Sequence, residues 1–468
     1  MSVAEGTRYV VAVDNGSQST KVLIIDQDGV VHASAQRRLL QYETPEPGRV
    51  VHPGDDVWES VVEACAEAMA SFRGDTAQVV GLGLCTIRFC RALLDADGRL
   101  VEPMMSWMDE RVSRPHVQRP GVAFVTTSSG YVTHRLTGER RDAAANHQGV
   151  WPIDQRTRRW SEDPAAYEAT GIRPEQLFEL VDPGGLLGHV STEAAGALGL
   201  PAGLPVFATA NDKAVEALGS GLRSDDQLLL SLGTYIAAMS TGPFAPSSEA
   251  YWVNFGSEPG RYLYESGGIR RGMWTVSWWR DLLAGGLTDE ELNAGAALVA
   301  PGSDGLITLL DWLAPDDASH RRGAMLGFDG RQGRFHVHRS ILEGIAMTMR
   351  GHVDRMEHAL GRRFREVVVS GGGSRSDLMM SIVADVLDRP ARRVQVNDAA
   401  GMGAAICALV GAGVHDGFGT AIDATVRERD TVLPHSERVT TYRRLTARYA
   451  GVAEFADPLF RHLLDEDG

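Results

Sequence analysis

The chain has 468 residues, more than one hydrophobic core accommodates, so two or more large domains are expected. Its 43% apolar and 23% charged residues are those of an ordinary soluble globular protein. A net charge of −15 argues against nucleic acid or an anionic membrane surface as the main partner, though not against a phosphorylated ligand held in a local cradle.

The first eight residues run straight into a strand without a charged-then-apolar leader pattern, and no apolar run approaches the length of a membrane span. Cys65, Cys85, Cys90 and Cys407 are scattered in apolar settings without Cys-x-x-Cys spacing, which reads as reduced core thiols. A cytoplasmic location is expected. Lys21 and Lys213 are the chain's two lysines, and neither follows a glycine, so a P-loop is excluded. The strand lysine and His-Arg-Asp loop of protein kinases are absent as well.

In chain order, strands are predicted near 8–14, 21–26 and 30–40. The first ends in Val11-Ala-Val-Asp-Asn-Gly-Ser-Gln-Ser-Thr-Lys21, an apolar run that stops at Asp14 and turns through Gly16 into hydroxyl and amide groups. Glycine lets backbone N–H groups approach an anion, and a carboxylate beside such a cradle calls for a phosphate-bound divalent cation. A plain hairpin with a polar turn satisfies the same residues. An amphipathic helix follows from about Asp55 to Phe72, then a buried strand at 79–85 and another at 92–95. A second half restarts at Gln227-Leu-Leu-Leu-Ser-Leu-Gly-Thr-Tyr235, again a strand running into a glycine-hydroxyl turn. It continues with a helix at about 339–360, a strand at 366–370, the Gly371-Gly-Gly373 turn with a further helix, and a small-residue helix at 399–409. His336 and His338 are placed on a strand, and 413–435 is read as loop. Strands alternating with helices imply an α/β class, with the halves divided near Gly219–Asp226 into 1–219 and 220–468.

Four features carry the chemistry. The Asp14 loop and the Ser231-Leu-Gly-Thr234 loop are one device used twice, able to grip a polyphosphate from two sides. Pro205-Val-Phe-Ala-Thr-Ala-Asn-Asp-Lys213 is a strand ending at Asp212, whose carboxylate suits a general base, although a helix N-cap is the bland alternative. Ser370-Gly-Gly-Gly-Ser-Arg-Ser-Asp377 offers a flat turn against which adenine or ribose could lie.

This order resembles the FGGY carbohydrate kinases, within the actin-like ATPase superfamily of duplicated ribonuclease-H-like folds. The resemblance also rests on Trp107-Met-Asp-Glu-Arg111, Leu136-Thr-Gly138 with Asp142, Gly199-Leu-Pro-Ala-Gly-Leu-Pro205, Leu342-Glu-Gly-Ile345, Ala384-Asp385 and Gly403-Ala-Ala405. It implies two ribonuclease-H-like domains with a cleft between them, and ATP with Mg²⁺ as the phosphoryl donor. Asp14 would help hold the metal through water, with Gly16, Ser17, Ser19 and Lys21 around the phosphates. Gly233 and Thr234 would meet the phosphates from the other side, and Gly372, Gly373 and Asp377 would lie at the adenosine. Asp212 would be the catalytic base, while Arg88, Trp107 and Asp109 would line the acceptor pocket. Simple core packing is the alternative for Trp107, and packing is expected for Trp274, Trp278 and Trp279. The Gly401/Gly403 pair reads as close helix packing.

The acceptor side departs from the family pattern. The segment from Val112 to the helix before Gly138 is short, Cys85-Thr-Ile-Arg88 replaces a Ser-x-Gln step, and Asp311-Trp-Leu-Ala-Pro-Asp316 is atypical. The resemblance therefore implies an ATP-dependent kinase of a small sugar or polyol, a pentulose such as xylulose before glycerol or a tetritol. A catalytically silent nucleotide-binding sugar sensor is the reading from another class. A homodimer is left open.

Overall fold

The computed structural model describes residues 6–315, 317–396 and 398–464. The N-terminal reading over residues 1–5, and Asp316 at the end of the 311–316 step, lie outside them.

Two sheets organise the chain. The first contains β1 (Tyr9–Asn15), β2 (Ser19–Asp26), β3 (Val31–Arg38), β4 (Val79–Thr86), β5 (Leu186–His189) and β6 (Pro205–Ala208), in the order β5-β6-β4-β1-β2-β3. The second contains β7 (Gln227–Leu232), β8 (Ile236–Gly242), β9 (Tyr251–Phe255), β10 (Tyr262–Ser266), β11 (Glu366–Ser370), β12 (Ala391–Val394) and β13 (Glu428–Val432), in the order β9-β10-β8-β7-β11-β12-β13. In the first, β1 runs antiparallel to β2 and parallel to β4, and β4 runs parallel to β6. In the second, β7 runs antiparallel to β8 and parallel to β11, and β11 runs parallel to β12. One unit, a hairpin followed by parallel strands, has been built twice. Central strands such as β1 are buried on both faces, which is why Val10 to Val13 read as a continuous apolar run rather than an alternation.

Helices cover the sheets and tie the halves together. Helix α1 (Asp56–Ser71) buries Val57, Val61, Ala64, Cys65 and Ala68. Helix α2 (Asp212–Gly219) follows β6, and α3 (Arg334–Leu360), α4 (Asp377–Leu387) and α5 (Ala399–Gly411) belong to the second half of the chain. Yet α5 lies against the first sheet: a Cβ on Gly83 of β4 would meet the Ala404 carbonyl at 2.1 Å. A Cβ on Gly403 would meet the Val215 carbonyl at 2.1 Å, and one on Gly219 the Ala399 carbonyl at 1.8 Å. The glycines of α2 and α5 thus let two backbones touch, as the Gly401/Gly403 spacing suggests.

Two expectations are corrected. His336 and His338 lie in the first turns of α3, which starts at Arg334. The Gly333 N–H donates to His336 Nδ1 at 3.1 Å, and His338 is buried with Nε2 3.1 Å from Asn293 Oδ1. The 413–435 region is not loop throughout but holds the helix Phe418–Thr425 and the edge strand β13, whose largely exposed residues give little apolar signal. The strand near 92–95 spans Arg91–Leu94 and pairs with Phe124–Thr127 in a separate ribbon. Trp274 stacks on Trp278, and Trp278 meets Trp312 at 5.3 Å, so this aromatic group is packing. All four cysteines are buried and free. Among the described residues no helix is long and apolar enough to cross a membrane.

Candidate active site

The β1–β2 hairpin is pinned from beneath. Asn15 Nδ2 donates to Thr20 Oγ1 at 2.6 Å, and the Thr20 and Ser60 hydroxyls share a hydrogen bond of 2.6 Å, all three residues being fully buried. This fixes Asp14 at the end of β1, opposite Lys21 on β2. Lys21 Nζ lies 3.4 Å from Asp398, which caps α5 by accepting from the Gly401 N–H at 3.0 Å. The turn closes through a Gly16 N–H to Ser19 carbonyl bond of 3.0 Å. Ser17 and Ser19 line an open cavity of about 390 Å³ shared with Gln36, Arg38 and Tyr42.

Burial, and then the negative charge of Asp398, push the Asp14 carboxyl up to about 7, with Asp212 and Glu216 adding to the repulsion and Lys21 opposing it. A buried carboxylate surrounded by like charge is a site that gains from a cation. Among the described residues no three His, Cys, Asp or Glu side chains stand ready to hold a metal ion. Asp14 could supply one carboxylate to a hard cation whose other ligands are waters and phosphate oxygens.

Asp212 opens α2 but does not cap it. Asn211 is the cap, accepting from the Ala214 N–H at 3.0 Å, and Asp212 Oδ1 accepts from the Lys213 N–H at 3.0 Å. Asp212 Oδ1 lies 3.6 Å from Arg88 Nε. Burial raises its pKa, and Arg88 and Lys213 pull it back. One turn along, Glu216 accepts from Ser231 Oγ (2.6 Å), Ser370 Oγ (2.7 Å) and Lys213 Nζ (2.8 Å), so α2 is tied to the ends of β7 and β11.

Two glycine turns converge at those strand ends. The carbonyls of Gly233 and Thr234 accept from the N–H groups of Met273 and Gly272 at the start of the helix Gly272–Leu283. Gly371 has a φ of +79°, and a Cβ there would meet the Leu232 carbonyl at 2.6 Å and Gly233 N at 3.1 Å. Gly373 packs on Leu232 and Met273, while Gly372 has open space where a Cβ would stand. Beyond the turn, Asp377 starts α4 and pairs with Arg393 at 2.6 Å. Asp377 lines a cavity of about 570 Å³ with Arg375, Ser376, Leu378, Ser381 and Asn293.

Arg88 follows β4. It donates bidentately to Glu265 of β10, Nη1 at 2.6 Å and Nη2 at 2.8 Å. Asn254 of β9 supports Glu265 through Nδ2 at 3.1 Å. Burial disfavours the charged guanidinium, but Glu265 and Asp212 hold its pKa above the ordinary arginine value. Phe89 has a φ of 68° and stacks on Trp252 at 5.3 Å, with the Arg88 guanidinium over both rings. Trp107 is 46% exposed, and the Tyr42 hydroxyl donates to the Ser17 carbonyl at 3.0 Å. Asp109 does not offer its carboxylate to the cleft. It is buried, and accepts from the Val50 N–H and from the Arg111 N–H, Nε and Nη2 at 2.8–3.0 Å.

Sequence reasoning missed Asp398, Glu216, Glu265, Asn254, Trp252 and Tyr42. Asp398 before Ala399-Ala-Gly401 carries an N-cap signal, and Glu216 lies four residues after Asp212 on one helix face.

Two facing copies of one α/β unit, with loops converging on a shared cleft, define the actin-like ATPase class of fold. The model of the FGGY family of carbohydrate kinases, N-terminal domain, matches residues 9–118, and that of the C-terminal domain matches residues 228–412. An uncharacterized sugar kinase of Escherichia coli (strain K12), YgcE, is 44% identical over 447 residues, covering 93% of this chain and 91% of that protein. A xylulose kinase of Lactococcus lactis subsp. lactis (strain IL1403) is 24% identical over 480 residues, covering 93% of this chain and 95% of the other. The crystal structure of gluconate kinase from Lactobacillus acidophilus shares the fold at a TM-score of 0.84 and 17% identity, covering 98% of this chain and 100% of that one. The chain belongs to the FGGY family of carbohydrate kinases, and it is a carbohydrate kinase.

Proposed function

We propose that the protein transfers the γ-phosphoryl group of ATP to a hydroxyl of a small sugar or polyol, with a pentulose such as xylulose as the leading acceptor. The observation that carries this reading is Asp212, a half-buried carboxylate at the start of α2 that the helix does not use as its cap, Asn211 filling that place, and that stands beside Arg88. With its pKa raised by burial, it is suited to accept the proton of the attacking hydroxyl as the O–P bond forms and the bond to the β-phosphate oxygen breaks. The Asp14 hairpin, with Gly16, Ser17, Ser19 and Lys21, would face the phosphates from one side, and Gly233 and Thr234 from the other. Adenosine would follow Gly372 and Gly373 into the cavity beside Asp377. Asp14 would hold Mg²⁺ through water, and the ion would offset charge on the phosphates. Arg88 and Trp107 would bound the acceptor. Closing the cleft would exclude water that otherwise competes for the phosphoryl group.

The test is labelled ATP offered with xylulose, ribulose, erythritol and glycerol. Transfer to a pentulose with the highest kcat/KM supports the reading. Preference for glycerol or the tetritol overturns the pentulose assignment, and tight nucleotide binding without transfer to any acceptor overturns the kinase activity in favour of a sensor.

A further inference from the structure

We infer that Glu265 is a specificity-determining and positioning residue, which neutralises Arg88 across the cleft and thereby restricts the acceptor to uncharged polyhydroxy compounds, rejecting aldonates and other anions. The inference rests on the acceptor pocket proposed above. An arginine at the edge of a sugar site is the natural partner for an acceptor carboxylate, because its terminal nitrogens match a carboxylate bidentately. Here that capacity is already used. Arg88 Nη1 and Nη2 both donate to Glu265, which lies 177 residues away on β10 of the second sheet. The remaining Nε edge faces Asp212 at 3.6 Å. One guanidinium therefore stands between two carboxylates, and the group carries a net negative charge when Asp212 is ionised.

The nearby lysine is itself engaged. Lys213 is bonded to Glu216 at 2.8 Å and to Ser231. Glu265 is nearly inaccessible, at 3% exposure, and Asn254 donates to its Oε2, so an incoming anion cannot simply push it into solvent. The Phe89–Trp252 stack, with Arg88 over both rings, closes the same arginine from the side. A carboxylate entering this pocket would meet Asp212 and Glu265 without a free bidentate partner, whereas a hydroxyl can donate to Asp212 and accept from Arg88 Nε. Glu265 does a second job in the same geometry. By gripping Arg88 from the opposite half, it fixes where the guanidinium stands relative to Asp212.

The test compares matched neutral and anionic acceptors, xylulose and ribulose against xylonate and gluconate, with labelled ATP and the full chain. For the wild type, kcat/KM for the neutral compounds should exceed that for the aldonates by roughly 10²-fold or more. Glu265→Gln keeps the shape and removes the charge. It should raise the aldonate-to-neutral ratio by about tenfold or more, with KM for the neutral acceptor rising more than kcat falls. Glu265→Asp should restore the wild-type ratio. Aldonates used as well as neutral sugars by the wild type would overturn this inference while leaving the kinase reading intact. An unchanged ratio in Glu265→Gln would likewise overturn it, reducing Glu265 to a structural contact. Transfer to no acceptor would overturn the kinase reading and this inference with it.

Discussion

The Asp212 carboxylate stands 3.6 Å from Arg88 Nε, and Glu265 of the other sheet holds the two terminal nitrogens of the same arginine. The proposed base and its immediate electrostatic partner thus come from the first half, while the group that orients the partner comes from the second. Mutual placement of the halves is therefore part of the chemistry, and the features that fix that placement can be probed separately from those that face substrate.

The first probe is the α2–α5 contact. Gly403→Ala would put a methyl 2.1 Å from the Val215 carbonyl, and Gly219→Ala one 1.8 Å from the Ala399 carbonyl. Neither neighbour is a flexible side-chain tip, so the helices must separate, at a cost of about 1–3 kcal/mol each. Thermal unfolding should shift down by several degrees for both. Gly196→Ala, in the helix Thr192–Leu198 with open space at its Cβ, is the control and should be neutral or slightly stabilising. Equal melting temperatures for all three variants would refute the close backbone contact.

The second probe is the pH dependence of Asp14. Its carboxyl titrates at about 7 in the fold against 3.8 ordinarily, because of burial and the charge of Asp398. Between those values the folded state binds more protons than the unfolded state, so this group's contribution to stability falls as pH rises, and the penalty is complete above about 7. Asp14→Asn removes the penalty. In metal-free, nucleotide-free buffer the variant's melting temperature should exceed that of the wild type by an amount that grows from pH 4 to pH 8. A difference that stays constant with pH would contradict the assignment.

The third probe separates nucleotide from acceptor. Ser381 lines the 570 Å³ cavity next to Asp377 and away from Arg88. Ser381→Trp would fill part of that space and should raise KM for ATP by about tenfold or more, with KM for the acceptor nearly unchanged. A rise confined to the acceptor KM would show that adenosine does not bind there.

How much of this was legible in the sequence follows the range of each interaction. The Asp14 hairpin could be read because a buried strand, a carboxylate and a polar turn are consecutive, and the second glycine-hydroxyl turn could be read as its counterpart for the same reason. The meeting of Gly233 with Gly371–Gly373 was not legible, since it depends on parallel β7 and β11 ending together, a pairing between strands far apart in the chain. Glu265 could not be found either, because its partner is 177 residues distant in the chain. Asp109 was read as facing the acceptor, but an arginine two residues later captures its carboxylate. His336 and His338 were assigned to a strand because two alternating residues fit a period of two, whereas the twenty-seven-residue helix that contains them shows its period only over many turns.

The most direct test of the central claim is turnover of Asp212→Asn with ATP and the best acceptor, measured beside the dissociation constant for ATP. Loss of the proton acceptor should lower kcat by about 10²-fold or more while ATP affinity stays within about twofold of wild type. Undiminished turnover would contradict the assignment of Asp212 as the base on which the proposed reaction depends.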